Sequence, residues 1–302
     1  MHEELRPLLF SIAYRMVGSV SDAEDIVQEA YLRLHRVSAE GASIESPKGF
    51  LSTVATRLSV DHLRSARVQR ERYFGPWLPE PLLTGTSPDA AEPVEMAESL
   101  SMAFLVLLES LTPVERAAFL LREVFDYGYD EIAAVVDKSE ENCRQLVSRA
   151  RRHVAARRPR FDVSRQQQDE LAQRFFAACQ DGDLDGLVEL LSADVVFYGD
   201  GGGTGYGLRE PVHGRDRVSR LLVGFAQQTS RLGVRIGPAE VNGQPGAVCH
   251  DRSGQLVNVL ALDIGDGAVQ AVRSVINPAK LGHLAPLADL RELLGPRRAR
   301  TS

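Results

Sequence analysis

Cysteine, tryptophan and long apolar runs are all scarce in this chain of 302 residues. The three cysteines, Cys143, Cys179 and Cys249, lie far apart and none belongs to a Cys-x-x-Cys pair, which argues against both a disulfide framework and a zinc site. No apolar stretch reaches the roughly 20 residues of a membrane span. The start, MHEELRPLLF, has neither the basic n-region nor the apolar h-region of a secretory signal. These absences point to a cytoplasmic protein that does not engage a membrane. A strongly basic balance is also missing, since the net charge is −6. That is only a mild argument against a nucleic-acid partner, because total charge does not say where charges sit.

Present instead is an ordinary globular composition, 44% hydrophobic and 25% charged, on a chain long enough for two or three domains. The arginines gather at 64–72 and 144–160, and the acids around 89–98 and in the C-terminal part, so an acidic chain can still carry basic faces. The single tryptophan, Trp77, stands among three prolines in YFGPWLPEP, at 73–81. Proline fixes φ, removes a donor and pushes the preceding residue toward extended geometry, so 75–81 reads as an extended strap. A strap bearing Tyr73, Phe74, Trp77 and Leu78 should lie against another surface.

Helical spacing of apolar residues runs from Leu5 to Val17, and Ser21-Asp22-Ala23-Glu24 reads as a capping box opening a second helix. Its buried stripe is expected to be Ala23, Ile26, Val27, Ala30, Tyr31 and Leu34. Asp25, Gln28, Glu29 and Leu32 then form the outer face. A third helix should follow Ser46-Pro47, with Phe50, Leu51, Val54, Leu58 and Leu63 inward. LLTGTSPDAAEPVE reads as a linker, with helices returning near Ala97.

Thr112-Pro113-Val114-Glu115 combines an N-cap, a proline at the first helical position and a capping-box glutamate. A short helix in YDEIAAVV, a turn at DKS and a longer helix from Glu140 to about Arg157 then make a helix–turn–helix. Cys143, Leu146, Val147, Ala150 and Val154 face its interior, while Arg144, Gln145, Ser148, Arg149, Arg151 and Arg152 point out. Polar, arginine-rich outward positions are what a recognition helix needs to reach base edges in the major groove. Beyond RRPRFDVS come two helices, near 168–179 and 184–191, then strand-like runs interrupted by a helix from Arg215 to about Gln228, the pattern of an α+β domain with mostly antiparallel strands. GDGGGTGYG has the glycines of a phosphate loop without its lysine, and reads as a turn-forming segment.

With these segments in view, the N-terminal half resembles the extracytoplasmic-function sigma factors of bacterial RNA polymerase. DAEDIVQEAYLRLHR looks like their core-polymerase-binding segment, SPKGFLSTVATRLSVDHLRSAR like their promoter-melting segment, and LTPVERAAFLLREVFDYGYDEIAAVVDKSEENCRQLVSRARRHV like their promoter-reading domain. GPWLPEP, DGGG at Asp200–Gly203 and NPAKL at Asn277–Leu281 resemble signature segments of the sigma-J type, which carries a C-terminal SnoaL-like (NTF2-like) domain. That family commonly places a basic residue after DGGG, where this chain has Thr204.

The resemblance implies two all-α sigma domains, the second a helix-turn-helix, followed by an α+β SnoaL-like cone. The expected boundaries are 1–73 for the first, 74–96 for the linker with its WLPEP strap, 97–160 for the second, 166–285 for the SnoaL-like domain and 286–302 for a C-terminal tail. It implies an alternative sigma factor, not an enzyme, that binds RNA polymerase core and promoter DNA and is modulated in cis by its C-terminal domain, with no cofactor and no metal.

On this view Asp25, Gln28, Glu29 and Leu32 meet polymerase. Arg144, Gln145, Ser148, Arg149, Arg151 and Arg152 read or hold the upstream promoter element, and Arg57, Asp61 and Arg64 the downstream one. Trp77, Leu78, Pro79, Glu80 and Pro81 meet Asp200, Gly201, Gly202, Gly203, Asn277, Pro278, Lys280 and Leu281 in a regulatory contact. The alternative is a SnoaL-type small-molecule enzyme or ligand sensor fused to a DNA-binding module. Asp200, His213, His250 and Asp251 would then be candidates for acid–base work, and the cone could hold a small ligand.

Overall fold

The computed structural model describes residues 2–41, 44–70, 73–85, 98–156 and 164–295. Two compact units partition the chain: 1–72 with 104–158, and 73–103 with 159–302.

The first unit is all-helical. Helices α1 (Arg6–Val17), α2 (Val20–Ala39) and α3 (Pro47–Arg70) pack together, followed by α4 (Met102–Leu108), α5 (Pro113–Glu123), α6 (Tyr129–Val136) and α7 (Glu140–Ala155). The cap of α2 is Ser19, not Ser21. Its hydroxyl accepts from Asp22 N, so the helix begins before the expected box. Ala97 lies outside the described residues; Glu98 beside it is helical, and a further helix starts at Met102. On α3 Leu51, Ser52, Ala55, Thr56, Ser59, Val60 and Leu63 are buried, while Phe50, Val54 and Leu58 are half-buried. Leu51 and Leu63 face inward as expected, but small residues occupy much of the rest of that face, where a neighbouring helix approaches.

Thr112 and Glu115 form the reciprocal capping box on α5. α6 ends at Asp137 in the left-handed conformation (φ 54°), which breaks the helix and lets Ser139 cap α7. Cys143, Val147, Ala150 and Val154 bury one face of α7. Arg116, 3% exposed, ties the unit together. It donates to Met16 O at 2.6 Å and Leu108 O at 3.0 Å, and pairs with Glu109 at 2.8 Å. Three charge-assisted bonds satisfy a guanidinium that would otherwise be costly to bury.

The second unit is α+β. Helices α8 (Arg165–Asp181) and α9 (Leu184–Leu190) precede strands β1 (Leu191–Asp200) and β2 (Val212–His213). α10 (Arg215–Leu232) leads into β3 (Arg235–Val241), β4 (Gln244–His250), β5 (Leu256–Gly265) and β6 (Ala268–Val275). The sheet order is β2-β1-β6-β5-β4-β3. All pairings are antiparallel except β1 with β6, which is parallel and joins the first long strand to the last.

One sheet face carries Phe197, Leu262 and Val272 into a core with Phe175, Phe176 and Leu222 of the helices. Residues 286–295 pack onto the domain. Leu287 bridges Leu256, Ala288 and Leu290 are buried, and Leu290–Leu294 forms α11, so the domain extends past the expected boundary at 285.

Candidate nucleic-acid interface and strap site

On α2, Asp25, Gln28 and Leu32 are exposed, and Leu32, at 45%, is one of the few large apolar side chains left in solvent. They line a shallow depression with Glu24 and His35. Glu29 lies beside them, partly covered, and bonds Arg33 at 2.8 Å. The Arg33 guanidinium lowers its carboxyl below the ordinary range.

On α7 all six outward positions are exposed, but they are not equivalent. Arg144 pairs with Glu140 at 2.7 Å and lies 5.0 Å from the Tyr129 ring centroid, which holds it near the helix start. Arg151 is bound through two bonds to Glu123, at 2.7 and 3.2 Å. Gln145, Ser148 and Arg149 share the solvent face, and Arg152 reaches back toward Ser148 O.

The α3 trio sits differently from the expectation of an open DNA face. Arg57, Asp61 and Arg64 form one wall of a groove whose other wall is Val135–Lys138. Arg57 donates to Ala134 O at 2.7 Å and Val135 O at 2.9 Å, capping the carbonyl end of α6, where a cation is favoured. Arg64 pairs with Asp61 at 3.1 Å. Arg57 is therefore committed to α6 in this arrangement, a long-range pairing no local pattern encodes.

The strap belongs to the second unit, and Asp200 is its anchor. Asp200 ends β1 and is wholly buried. Its Oδ2 accepts from Leu78 N at 2.8 Å and from Lys280 Nζ at 2.7 Å. Its Oδ1 accepts from the Tyr73 hydroxyl at 2.5 Å and Gly202 N at 3.1 Å. Burial, and then the bond to Asp200, raise the Tyr73 phenol above its ordinary range, so it stays a donor.

Lys280 also donates to Leu78 O at 2.5 Å, and its ammonium stands 4.7 Å from the Tyr73 ring centroid and 4.4 Å from that of Trp77, within cation–π range. Asn277 donates to the Tyr73 oxygen at 3.0 Å and accepts from Ala279 N, capping the 3₁₀ turn Pro278–Lys280. Gly202 lies at φ 58° so close to Asn277 that a Cβ would fall 2.3 Å from its amide nitrogen.

The anchoring side chain is Leu78, 1% exposed, with Pro79, Glu80 and Pro81 also buried. Trp77, expected as the buried anchor, is half-exposed and acts through its ring face. Leu281 is buried below the turn, Gly201 is covered, and Pro278 is half-buried. Gly203 is exposed, as is Thr204, whose hydroxyl closes the turn onto Gly201 O at 2.6 Å. The departure at Thr204 therefore falls on a position facing solvent.

Sequence reasoning missed the second half of the strap. Leu82 and Asn242 exchange bonds at 2.9 and 2.8 Å, Leu83 bridges Val241, and Thr84 Oγ1 bonds Glu240 at 2.5 Å. The strap thus covers the edge strand β3, which would otherwise present unpaired backbone. The positive φ of Asn242 (53°) places its amide to reach Leu100 O at 3.0 Å as well. His283 meets Pro81 O at 2.9 Å.

The four acid–base candidates do not converge. Asp200 holds the strap, His213 is exposed on β2, and Asp251 closes a turn by accepting from Ser253 N and Gln255 N, both at 2.8 Å. His250 ends β4. None of the four lines the cavity inside the cone, whose walls include Phe175, Phe197, Phe225 and Leu208. Among the described residues no group of three or more His, Cys, Asp or Glu could hold a metal ion, and no helix is long and apolar enough to cross a membrane.

Comparison with known proteins matches three families in succession: Sigma-70 region 2 over residues 1–68, Sigma-70, region 4 over 101–154, and the SnoaL-like domain over 172–275. The ECF RNA polymerase sigma factor SigJ of Mycobacterium tuberculosis is 40% identical over 96% of this chain and 94% of its own length. The probable ECF sigma factor SigI of the same species is 34% identical over 92% and 93%. The crystal structure of the M. tuberculosis SigJ protein superposes with a TM-score of 0.75 at 37% identity, covering 95% of this chain and 98% of that one.

Proposed function

The chain belongs to the extracytoplasmic-function RNA polymerase sigma factors, and we propose that it directs promoter-specific initiation under the control of its own SnoaL-like domain, acting through the strap. Polymerase core meets the exposed α2 face at Asp25, Gln28, Glu29 and Leu32. The upstream promoter element meets α7, with Gln145, Ser148 and Arg149 on base edges and Arg152 on phosphate. Arg144 and Arg151 join them once DNA phosphates compete for their carboxylate partners. Arg57, Asp61 and Arg64 reach the downstream element when α6 leaves their groove. Such a protein works in the cytoplasm, with polymerase, and catalyses no reaction itself.

The observation that carries the regulatory reading is the fourfold coordination of Asp200 by Leu78 N, Tyr73, Gly202 N and Lys280. The strap is the chain between the two sigma regions, and its fixation to the SnoaL-like domain shortens the free tether joining them. A shorter tether restricts how far the two promoter-reading regions can separate. Release of the strap lengthens it.

The test is run-off transcription with core polymerase and the full chain, comparing the native protein with Lys280→Met and Leu78→Ser. Promoter-dependent transcript from the native chain, and an altered yield from both variants at equal core binding, is the expected result. No initiation by the native chain overturns the sigma reading. Unaltered yield from both variants overturns the role of the strap.

A further inference from the structure

The cone holds a cavity of about 150 Å³, partly open to solvent at Gln228, that the strap contact does not use. Its walls are mainly hydrocarbon, with Phe175, Phe176, Phe197, Leu208, Leu222 and Phe225 around it. Cys179 and Cys249 also line it, and burial pushes both thiols up to about 12, so they face the cavity uncharged. Asn258, whose amide donates to Ser274 Oγ at 3.2 Å, makes a polar spot on the cavity wall, and Tyr206, Gln228 and Thr229 add polar groups elsewhere on the lining. A cavity of about this volume accepts a benzene-sized guest. Left unfilled it is a standing cost to stability, because its lining lacks contact atoms on one side.

The strand register links this cavity to the strap. Side chains alternate across a sheet, so on β1 Phe197 and Gly199 line the cavity while Asp200, next along the strand, holds the strap from the other face. On β6 and beyond, Ser274 and Ile276 line the cavity, and Asn277 directly follows. The loop after β1 does the same over a shorter distance. Gly207 and Leu208 line the cavity, and Leu208 O backs so closely onto Gly75 of the strap that a Cβ there would lie 2.5 Å away. The walls formed by β1, by the end of β6 and by Leu208 are thus within one residue or one backbone layer of a strap contact.

We propose that the cone is an effector site for an uncharged single-ring molecule with one hydrogen-bonding substituent, the ring among the phenylalanines and the substituent at Asn258 and Ser274, and that its occupancy is transmitted to the strap through β1 and Leu208. The proposal rests on the strap being the regulatory contact. Its ligand arm stands apart from promoter activity. A charged ligand is excluded by the same walls, since no cationic side chain lines the cavity and an unpaired carboxylate is expensive to desolvate.

The experiment uses the full chain with benzyl alcohol and benzoate as probes, followed by titration calorimetry and by acrylamide quenching of the single tryptophan. Benzyl alcohol should bind, and benzoate should bind at least ~100-fold more weakly. Ala226→Phe, which places a ring in the cavity, and Cys249→Leu, a smaller filling, should each weaken benzyl alcohol at least ~10-fold, as loss of the guest's space requires. Benzyl alcohol should change Trp77 quenching in the native chain and leave it unchanged in the filled variants.

Comparable binding of benzoate, undiminished binding in the folded filled variants, or no binding of benzyl alcohol overturns the site. If Ala226→Phe does not fold, Cys249→Leu decides. Binding without a change at Trp77 overturns the coupling. No readout here involves polymerase or promoter, so failure of the site and failure of the sigma reading are scored separately.

Discussion

Lys280 brings its ammonium within 2.7 Å of Asp200 Oδ2, in a pocket where the carboxylate has no solvent exposure and the lysine side chain 10%. A buried pair of this kind is weak evidence for net stability, but removing one partner leaves an uncompensated charge. The carboxylate would keep three neutral donors, Leu78 N, Gly202 N and the Tyr73 hydroxyl, and the strap would lose the ammonium beneath two aromatic rings. Lys280→Met is therefore expected to destabilise strap docking by about 3–5 kcal/mol, read as increased acrylamide access to Trp77. Adding Asp200→Asn should restore part of the loss. A single variant as protected as the native chain would remove Lys280 from the anchor.

The close approach of Gly75 to Leu208 offers an independent handle. Gly75 lies at φ 87°, and a Cβ there would meet the Leu208 carbonyl oxygen at 2.5 Å. Gly75→Ala combines left-handed strain with a backbone clash and should cost about 1–3 kcal/mol in strap docking. Hydrogen exchange at the Leu78 amide, whose acceptor is Asp200, measures it. Exchange as slow as in the native chain would refute the prediction.

Charge reversal on α2, as Asp25→Lys with Glu29→Lys, should weaken polymerase binding while the helix stays folded. Exposed substitutions usually change stability by less than about 0.5 kcal/mol. Glu29 also loses Arg33, a surface pair worth little. A pull-down with core enzyme checks this, and equal recovery of the folded double variant would move the binding face elsewhere.

On α7, Arg149→Ala is expected to relax one promoter position at a cost of about 1–3 kcal/mol. Arg152→Ala should weaken all sequences alike and lower the salt slope by about 1. Arg151→Ala should do less to DNA than Arg152→Ala, because Arg151 must first leave Glu123. A base-substitution profile unchanged in Arg149→Ala would place base reading on other side chains.

Reactivity of the thiols follows from their burial. A thiol raised to about 12 from an ordinary value near 9 has about a thousandfold less thiolate at pH 8, and thiolate is the nucleophile. Because the folded value is the higher one, protection is complete below pH 9 and is lost only as pH rises toward 12. Iodoacetamide at pH 8 should therefore spare Cys179 and Cys249 in the folded chain and label them after denaturation. Mass spectrometry of the labelled peptides gives the answer, and rapid labelling in the native state would contradict it.

The sequence by itself determined the features carried by local signals. The Thr112–Glu115 box, the spacing of Cys143, Val147, Ala150 and Val154, and the proline-enforced extension of 75–81 each depend on neighbours within a few residues. The helix-turn-helix, the strap and the α+β domain were legible for that reason, and the resemblance of WLPEP, DGGG and NPAKL to known segments marked all three sides of the strap site in advance. Tertiary structure decided how those groups are used. Leu78 became the buried anchor and Trp77 a half-exposed ring over Lys280, because only the sheet edge fixes which strap residue points inward. Arg57 was drawn to the α6 carbonyls and Arg116 to Met16 O by partners 78 and 100 residues away. Asp200 was separated from His213, His250 and Asp251 by position in the sheet: His213 pairs with Val196, four residues before Asp200, and β4, which His250 ends, lies three strands from β1. Such pairings depend on contacts between distant segments, and no periodicity in one segment records which surface another will meet.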